Sequence, residues 1–215
     1  MVFNRVQSIF SSLPARLSIS GGYNSLRTEV IRKTIHLLIA LAPSMAAINK
    51  PLTVFLLLIG TLGYTLMEHL RLSGINIPII SSITSMASRR RDAGRFVLGP
   101  VTLGFGALLA LLLYPSPVAA ISIYALAFGD GIASLAGKFF GRWRPAFLFG
   151  KSVEGSIACF TAVFISAYVV SHSFRVAAIA AVVATIVEAL PLKDYDNLVI
   201  PVSVGLAVHF AFLAG

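Results

Sequence analysis

Asp130, Ala133, Gly137 and Gly141 recur at i, i+3, i+7 and i+11, so a helix would carry them as one stripe of small residues headed by a single carboxylate. A carboxylate within an apolar run is costly unless it is paired, hydrated or bound to a cation, and that cost makes Asp130 a candidate for chemistry. Its oxygens suit a hard divalent cation such as magnesium carried by a nucleotide. Gly137 and Gly141 form a Gly-x-x-x-Gly pair, which reads either as close helix packing or as a place where a ligand meets the backbone.

Glu29, Arg32, Lys33 and His36 fall at i, i+3, i+4 and i+7, a second stripe, cationic with a titratable end. Arg32 and Lys33 could hold a phosphate, one as a fork and one as a point charge; the alternative is a set of anchors facing lipid headgroups. Further along stand Gly150, Lys151, Ser152, Glu154, Gly155 and Ser156. Ser152 can cap a helix there and Lys151 sits at its positive end, which makes an anion site; the alternative is a plain cap with Arg142 and Arg144 as anchors. The Gly-Lys-Ser triplet resembles the end of a P-loop. That fold is excluded, because the motif's first glycine would fall at Pro145 and no strand precedes it.

Glu188 near the end of one apolar run, with Asp194, Asp196 and Asn197 leading into the next, completes the set; Asp196 also reads as a helix cap. The histidines His36, His69, His172 and His209 show no metal-ligand spacing. Cys159 is the only cysteine and lies in an apolar run, so it reads as a small buried hydrophobe with no disulfide to make.

Hydrophobic residues make up 57% of the 215, charged residues only 12%, a composition that excludes a water-soluble globule. Apolar runs at about 34–48, 52–70, 96–114, 117–137, 153–171, 176–190 and 197–214 predict an all-α polytopic protein of about seven transmembrane helices. Residues 1–30 carry apolar positions at roughly helical spacing, interrupted by Arg5, Gln7 and Arg16, and predict an amphipathic segment lying on the membrane rather than a signal peptide. Residues 31–215 are then one transmembrane catalytic domain.

The formal charge of +9 reports topology and anionic headgroups rather than nucleic acid. Fifteen of the 17 lysines and arginines fall in the tail and alternate loops on one side, which predicts a cytoplasmic amino terminus. All eight acidic residues fall on that same side, as expected of a polar site opening to the cytoplasm.

Together these residues resemble the polyprenol kinase family, which includes dolichol kinase, phytol kinase and the CTP-dependent diacylglycerol kinases. The resemblance runs from Glu29-x-x-Arg32-Lys33-x-x-His36, through the Asp130 stripe and Lys151-Ser152-x-Glu154-Gly155-Ser156, to Glu188 and Asp196-Asn197-Leu198-x-Ile200-Pro201. It implies transfer of the γ-phosphoryl group of CTP, or another nucleoside triphosphate, to the hydroxyl of a membrane lipid alcohol. On that reading Arg32, Lys33, His36, Gly137, Gly141, Lys151, Ser152, Gly155 and Asn197 surround nucleotide and phosphate. Asp130, Glu154, Glu188 and Asp196 supply catalytic carboxylates, with Asp130 and Glu154 holding magnesium or another divalent cation.

Phosphatidate cytidylyltransferase shares the Asp130-type stripe and the Lys-Ser-x-Glu-Gly element, but its later Lys-Asp and Pro-Gly-His-Gly-Gly segments are missing here. A small transporter, with intramembrane acids marking an ion path, is the rival from another class.

Overall fold

The computed structural model describes residues 19–75, 92 and 94–214, with side chains from residue 28 onward, and every regular element among them is helical. Residues 1–18 of the expected amphipathic segment, and most of the serine-rich stretch 75–87, lie outside the described residues.

Helix α1 (Ile19–Leu38) is followed almost at once by α2 (Leu41–Leu72). The single helix expected over 34–48 is therefore divided, and Pro43 supplies the reason. Lacking an N–H, it cannot bond the Ile39 carbonyl four residues back, which accepts instead from Ala42 at 3.0 Å. The break expected at Asn49, Lys50 and Pro51 is a capped kink inside α2. Asn49 turns extended (φ −151, ψ 94), its Oδ1 accepts the Leu52 N–H at 3.0 Å, and Pro51 stands in the restarted first turn where no N–H is needed.

Next come α3 (Gly99–Leu113) and a continuous rod of α4 (Val118–Tyr124), a π-helical turn (Ala125–Asp130) and α5 (Gly131–Phe139). Helices α6 (Val153–Ser171), α7 (Phe174–Ala189) and α8 (Asp196–Leu213) finish the chain. Four stretches are long and apolar enough to cross a membrane: Thr28–Leu72, Val118–Phe139, Val153–Ser171 and Lys193–Leu213. These four stand against seven expected runs, and Thr28–Leu72, 45 residues long, takes in two of those runs. Helices α3 and α7 have 15 and 16 residues, and at 1.5 Å per residue they rise only about 22–24 Å against a hydrocarbon core of roughly 30 Å.

The rod is the centre of the bundle, with 67% of its apolar window buried against 11% for Thr28–Leu72. Packing is achieved with small side chains, Ala107, Ala110, Ala125, Ala177, Ala181 and Ala184 being fully enclosed. Lipid tails are as apolar as leucine, so tight backbone approach is what holds such a bundle together. At Gly106 of α3 an added Cβ would lie 2.0 Å from the Asn197 carbonyl oxygen of α8. Pro201, four residues on, has no N–H to occupy that oxygen, which leaves it open to the close approach. Large apolar side chains such as Ile48, Phe55, Leu62, Phe210 and Leu213 point outward, as a hydrocarbon-facing surface requires.

One polar staple ties the ends of α2 and α3. Glu68, fully buried, takes two 2.8 Å bonds from Arg71 and one of 2.9 Å from the Val97 amide. The carboxylate is neutralised where it is enclosed.

Because the clash at Gly106 is with backbone, no rotamer change relieves it. Gly106→Ala should cost at least ~1–3 kcal/mol and lower the melting temperature in detergent, whereas Gly60→Ala, with nothing within 4 Å of the new Cβ, should not. Equal melting of G106A and the parent would contradict this α3–α8 contact.

Candidate functional site

Asp130 closes the π-helical turn in the middle of the rod. Such a turn accommodates one extra residue and is a common device at functional sites. The Lys33 ammonium donates to Asp130 Oδ2, with Lys33 fully buried and Asp130 2% exposed. His36, three residues further along α1, brings Nδ1 to 3.3 Å from the same oxygen. Ser134, one turn along the rod, donates to Oδ1 at 3.4 Å. Neither charge is tolerable alone at such depth, so the pair fastens α1 to the rod.

Beside the pair opens a cavity of about 450 Å³. Its α1 wall presents Glu29 and Arg32. The Arg32 guanidinium donates to Glu29, whose other oxygen lies 3.7 Å from the Lys138 ammonium. The buried Nε–H of Arg32 has no hydrogen-bond partner among the described residues, while the residue itself lines the cavity. The α5 wall presents Ala133 and Gly137, and the third wall is the amino end of α6 with Lys151, Ser152 and Gly155. Ser152 caps α6 by accepting the Gly155 N–H at 3.1 Å. Gly137 lies so close that a Cβ there would stand 3.0 Å from Ser152 Oγ. Across the cavity are Glu188 at the end of α7 and Asp196 at the start of α8. Lys151 reaches over to Glu188 at 2.7 Å.

The connection between α5 and α6 is drawn in by two charged side chains. Arg144 donates to the carbonyls of Gly137 (2.6 Å) and Gly150 (2.7 Å). Glu154 accepts from the amides of Arg142 (2.9 Å) and Trp143 (3.2 Å).

The expected site residues divide into two groups. Asp130, Arg32, Gly137, Lys151, Ser152, Gly155, Glu188 and Asp196 line the one cavity. Lys33 and His36 stand behind Asp130 as its partners and are not part of the lining. Gly141 also stands outside it, packed beneath Ser152, where a Cβ would meet Oγ at 2.5 Å. Glu154 and Asn197 are not among the residues that line the cavity. Glu154 Oε1 is taken by the α5–α6 loop, whose amides need an acceptor, and Oε2 has no hydrogen-bond partner among the described residues. Asn197 is 1% exposed and donates to Gly99 O (3.2 Å) and Thr102 Oγ1 (2.9 Å), joining α8 to α3.

Among the described residues no three His, Cys, Asp or Glu side chains are gathered to hold a metal by themselves. Magnesium bound to a nucleotide asks for less, commonly one or two carboxylates beside phosphates and water. Asp130, which lines the cavity and whose Oδ1 takes only the long Ser134 bond, fits that demand; Glu154, bonded to the loop through Oε1, does not line the cavity.

Three contributors carry little sequence signal. Arg144 reads as a membrane anchor yet braces the cavity through two carbonyls. Lys193 lies in a turn after Pro191, and Lys138 sits in the stripe's shadow; both line the cavity. Ser134 had a signal, its spacing of four from Asp130.

No protein-family model matches the chain, and no solved structure matches it. The chain is 32% identical over 158 residues to a phytol kinase of Synechocystis sp., covering 69% of this chain and 66% of that one. It is 29% identical over 167 residues to phytol kinase 1, chloroplastic, of Arabidopsis thaliana, covering 68% and 55%. A probable phytol kinase 1, chloroplastic, of Oryza sativa subsp. japonica is 24% identical over 157 residues, covering 65% and 50%. The chain spans about half the length of these plant relatives. With its motifs in order and these relatives aligned along two thirds of its length, the chain belongs to the polyprenol and phytol kinase family.

Proposed function

We propose that the chain is a multi-pass membrane kinase that transfers the γ-phosphoryl group of a nucleoside triphosphate, CTP, to the hydroxyl of a lipid alcohol. The observation that carries this reading is the meeting of phosphate-type cations and carboxylates from α1, the rod, the loop before α6, and the ends of α7 and α8 around one cavity beside the Lys33–Asp130 pair. The acceptor class follows from the relatives, which are named phytol kinases. Phytol, or a longer polyprenol, is the alcohol to try first. The site faces the cytoplasm, and the amino terminus lies on the same side, in keeping with the one-sided lysines and arginines.

Phosphoryl transfer needs positioning and charge neutralisation more than covalent chemistry. Arg32 and Lys151, both lining the cavity, are placed to hold phosphate oxygens. The capped amino end of α6 adds the partial positive charge of its backbone. Lys151 is bridged to Glu188 across the cavity, and its ammonium, with three N–H donors, can hold a phosphate oxygen beside that carboxylate. Lys33 and His36 hold Asp130 in one orientation. Magnesium, when it accompanies the nucleotide, supplies neutralisation of the phosphate charge, and Asp130 Oδ1 would hold it. Phe149, Leu190 and Pro191 make part of the lining apolar, the kind of surface a lipid alcohol needs to bring its hydroxyl inward while its tail stays in hydrocarbon.

With γ-labelled CTP and phytol, purified protein should move label into lipid. A cytidylyltransferase would release labelled pyrophosphate instead, and a transporter would leave the nucleotide intact. Asp130→Asn should lower that transfer by ~100-fold or more, read as labelled lipid per folded protein. Activity equal to the parent would refute the site.

The Lys33–Asp130 pair makes a second expectation. Lys33→Met alone strands a buried carboxylate and should cost about 3–5 kcal/mol, seen as a lower melting temperature in detergent. The double variant K33M/D130N removes both charges and should recover most of that stability while staying inactive. Recovery of transfer by the double variant would mean that the pair is structural only.

A further inference from the structure

We propose that Asp196 is the catalytic residue that takes the proton from the acceptor hydroxyl, a role that rests on the kinase reading above. Four carboxylates line the cavity, and three are already committed to cations. Asp130 is held by Lys33, Glu188 by Lys151, and Glu29 by Arg32 and Lys138. A carboxylate whose charge a cation already neutralises gains least from accepting a proton. Asp196 makes no ion pair among the described residues. Its Oδ1 accepts the Asn197 amide at 2.9 Å, and its Oδ2 is left without a partner on a residue that lines the cavity.

The backbone around Asp196 is held in place by its neighbour. Asn197 anchors the first turn of α8 to α3 through Gly99 and Thr102. Gly106 pressing on the Asn197 carbonyl closes the same joint. Asp196 is thereby kept at the cavity edge. Leu190 and Pro191, which fall between Glu188 and Asp196 in sequence, line the same cavity and add apolar surface to it. Asp196 is half-buried whereas Glu29, Asp130 and Glu188 are buried, so a hydroxyl brought in on a lipid tail reaches Asp196 before the paired carboxylates.

The step balances without any further reactant. The lipid oxygen forms a bond to the γ-phosphorus as the bond between that phosphorus and the β–γ bridging oxygen breaks. The bridging oxygen leaves with the electron pair on the nucleoside diphosphate. The hydroxyl proton passes to Asp196 Oδ2 and from there to water at the cavity opening. Arg32 and Lys151 stay on phosphate throughout while keeping their bonds to Glu29 and Glu188, since a guanidinium and an ammonium have donors for both.

An acid in the first turn of a helix also stabilises the helix dipole, and the experiment separates the two roles. The whole chain is purified in detergent and given γ-labelled CTP with phytol. Asp196→Asn should lower kcat by 10²- to 10⁴-fold with the KM for CTP within about threefold of the parent, while Asp194→Asn, the same charge change two residues earlier, stays close to the parent. Added formate should restore part of the kcat of Asp196→Ala, which a helix-capping role would not allow. If D196N fails to fold, Asp196→Glu keeps the charge but displaces the oxygens, and its kcat should drop at least tenfold at unchanged melting temperature. A D196N or D196E enzyme with parental kcat overturns the assignment and leaves the kinase reading standing. A parent protein that labels no lipid alcohol overturns both.

Discussion

The arrangement depends on a lysine and an aspartate that cannot be separated. Lys33 and Asp130 come from segments almost a hundred residues apart, and both are enclosed where water does not reach. Each charge is costly in such surroundings and acceptable only beside the other. Helix α1 must therefore lie against the middle of the central rod, which puts the Arg32 stripe on the cavity side. The interaction selects a geometry more than it adds stability.

Around that pair, the polar groups are set by helix ends while the apolar mass is set by small residues. The cap of α6, the end of α7 and the start of α8 reach the cavity, and each brings one or two charged side chains with it. Alanines and glycines along α3, the rod and α7 let the backbones close up without large side chains between them. The cavity is consequently walled in part by backbone, at Gly137 and Gly155, where side chains would intrude on Ser152 or on the Ala133 carbonyl.

Much of this was legible in the residues. The Asp130 stripe, the Ser152 cap and the acids at Glu188 and Asp196 could be placed by spacing alone, because helical periodicity turns separation into direction. What spacing does not show is which neighbour a charge finds. Lys33 and Arg32 are adjacent and alike in sequence, yet one is buried on Asp130 and the other faces the cavity. Glu154 and Asn197 sat in the right motifs but were claimed by backbone amides and by α3, tertiary partners that no local pattern encodes. The division at Pro43 was also readable only in part. A proline signals a lost hydrogen bond, but whether the helix bends or stops depends on what packs around it.

The π-helical turn at Ala125–Asp130 has a consequence for how such a protein can vary. The half of the rod before it packs in the core, and the half after it carries the cavity stripe; the extra residue lets each keep its own rotational phase. A length change of a single residue within that turn would therefore swing the carboxylate around the axis while leaving every cavity-lining side chain chemically untouched. Descendants of one scaffold could differ in reactivity through backbone register, with compositions so alike that a residue-by-residue comparison of their sites would find nothing to explain it.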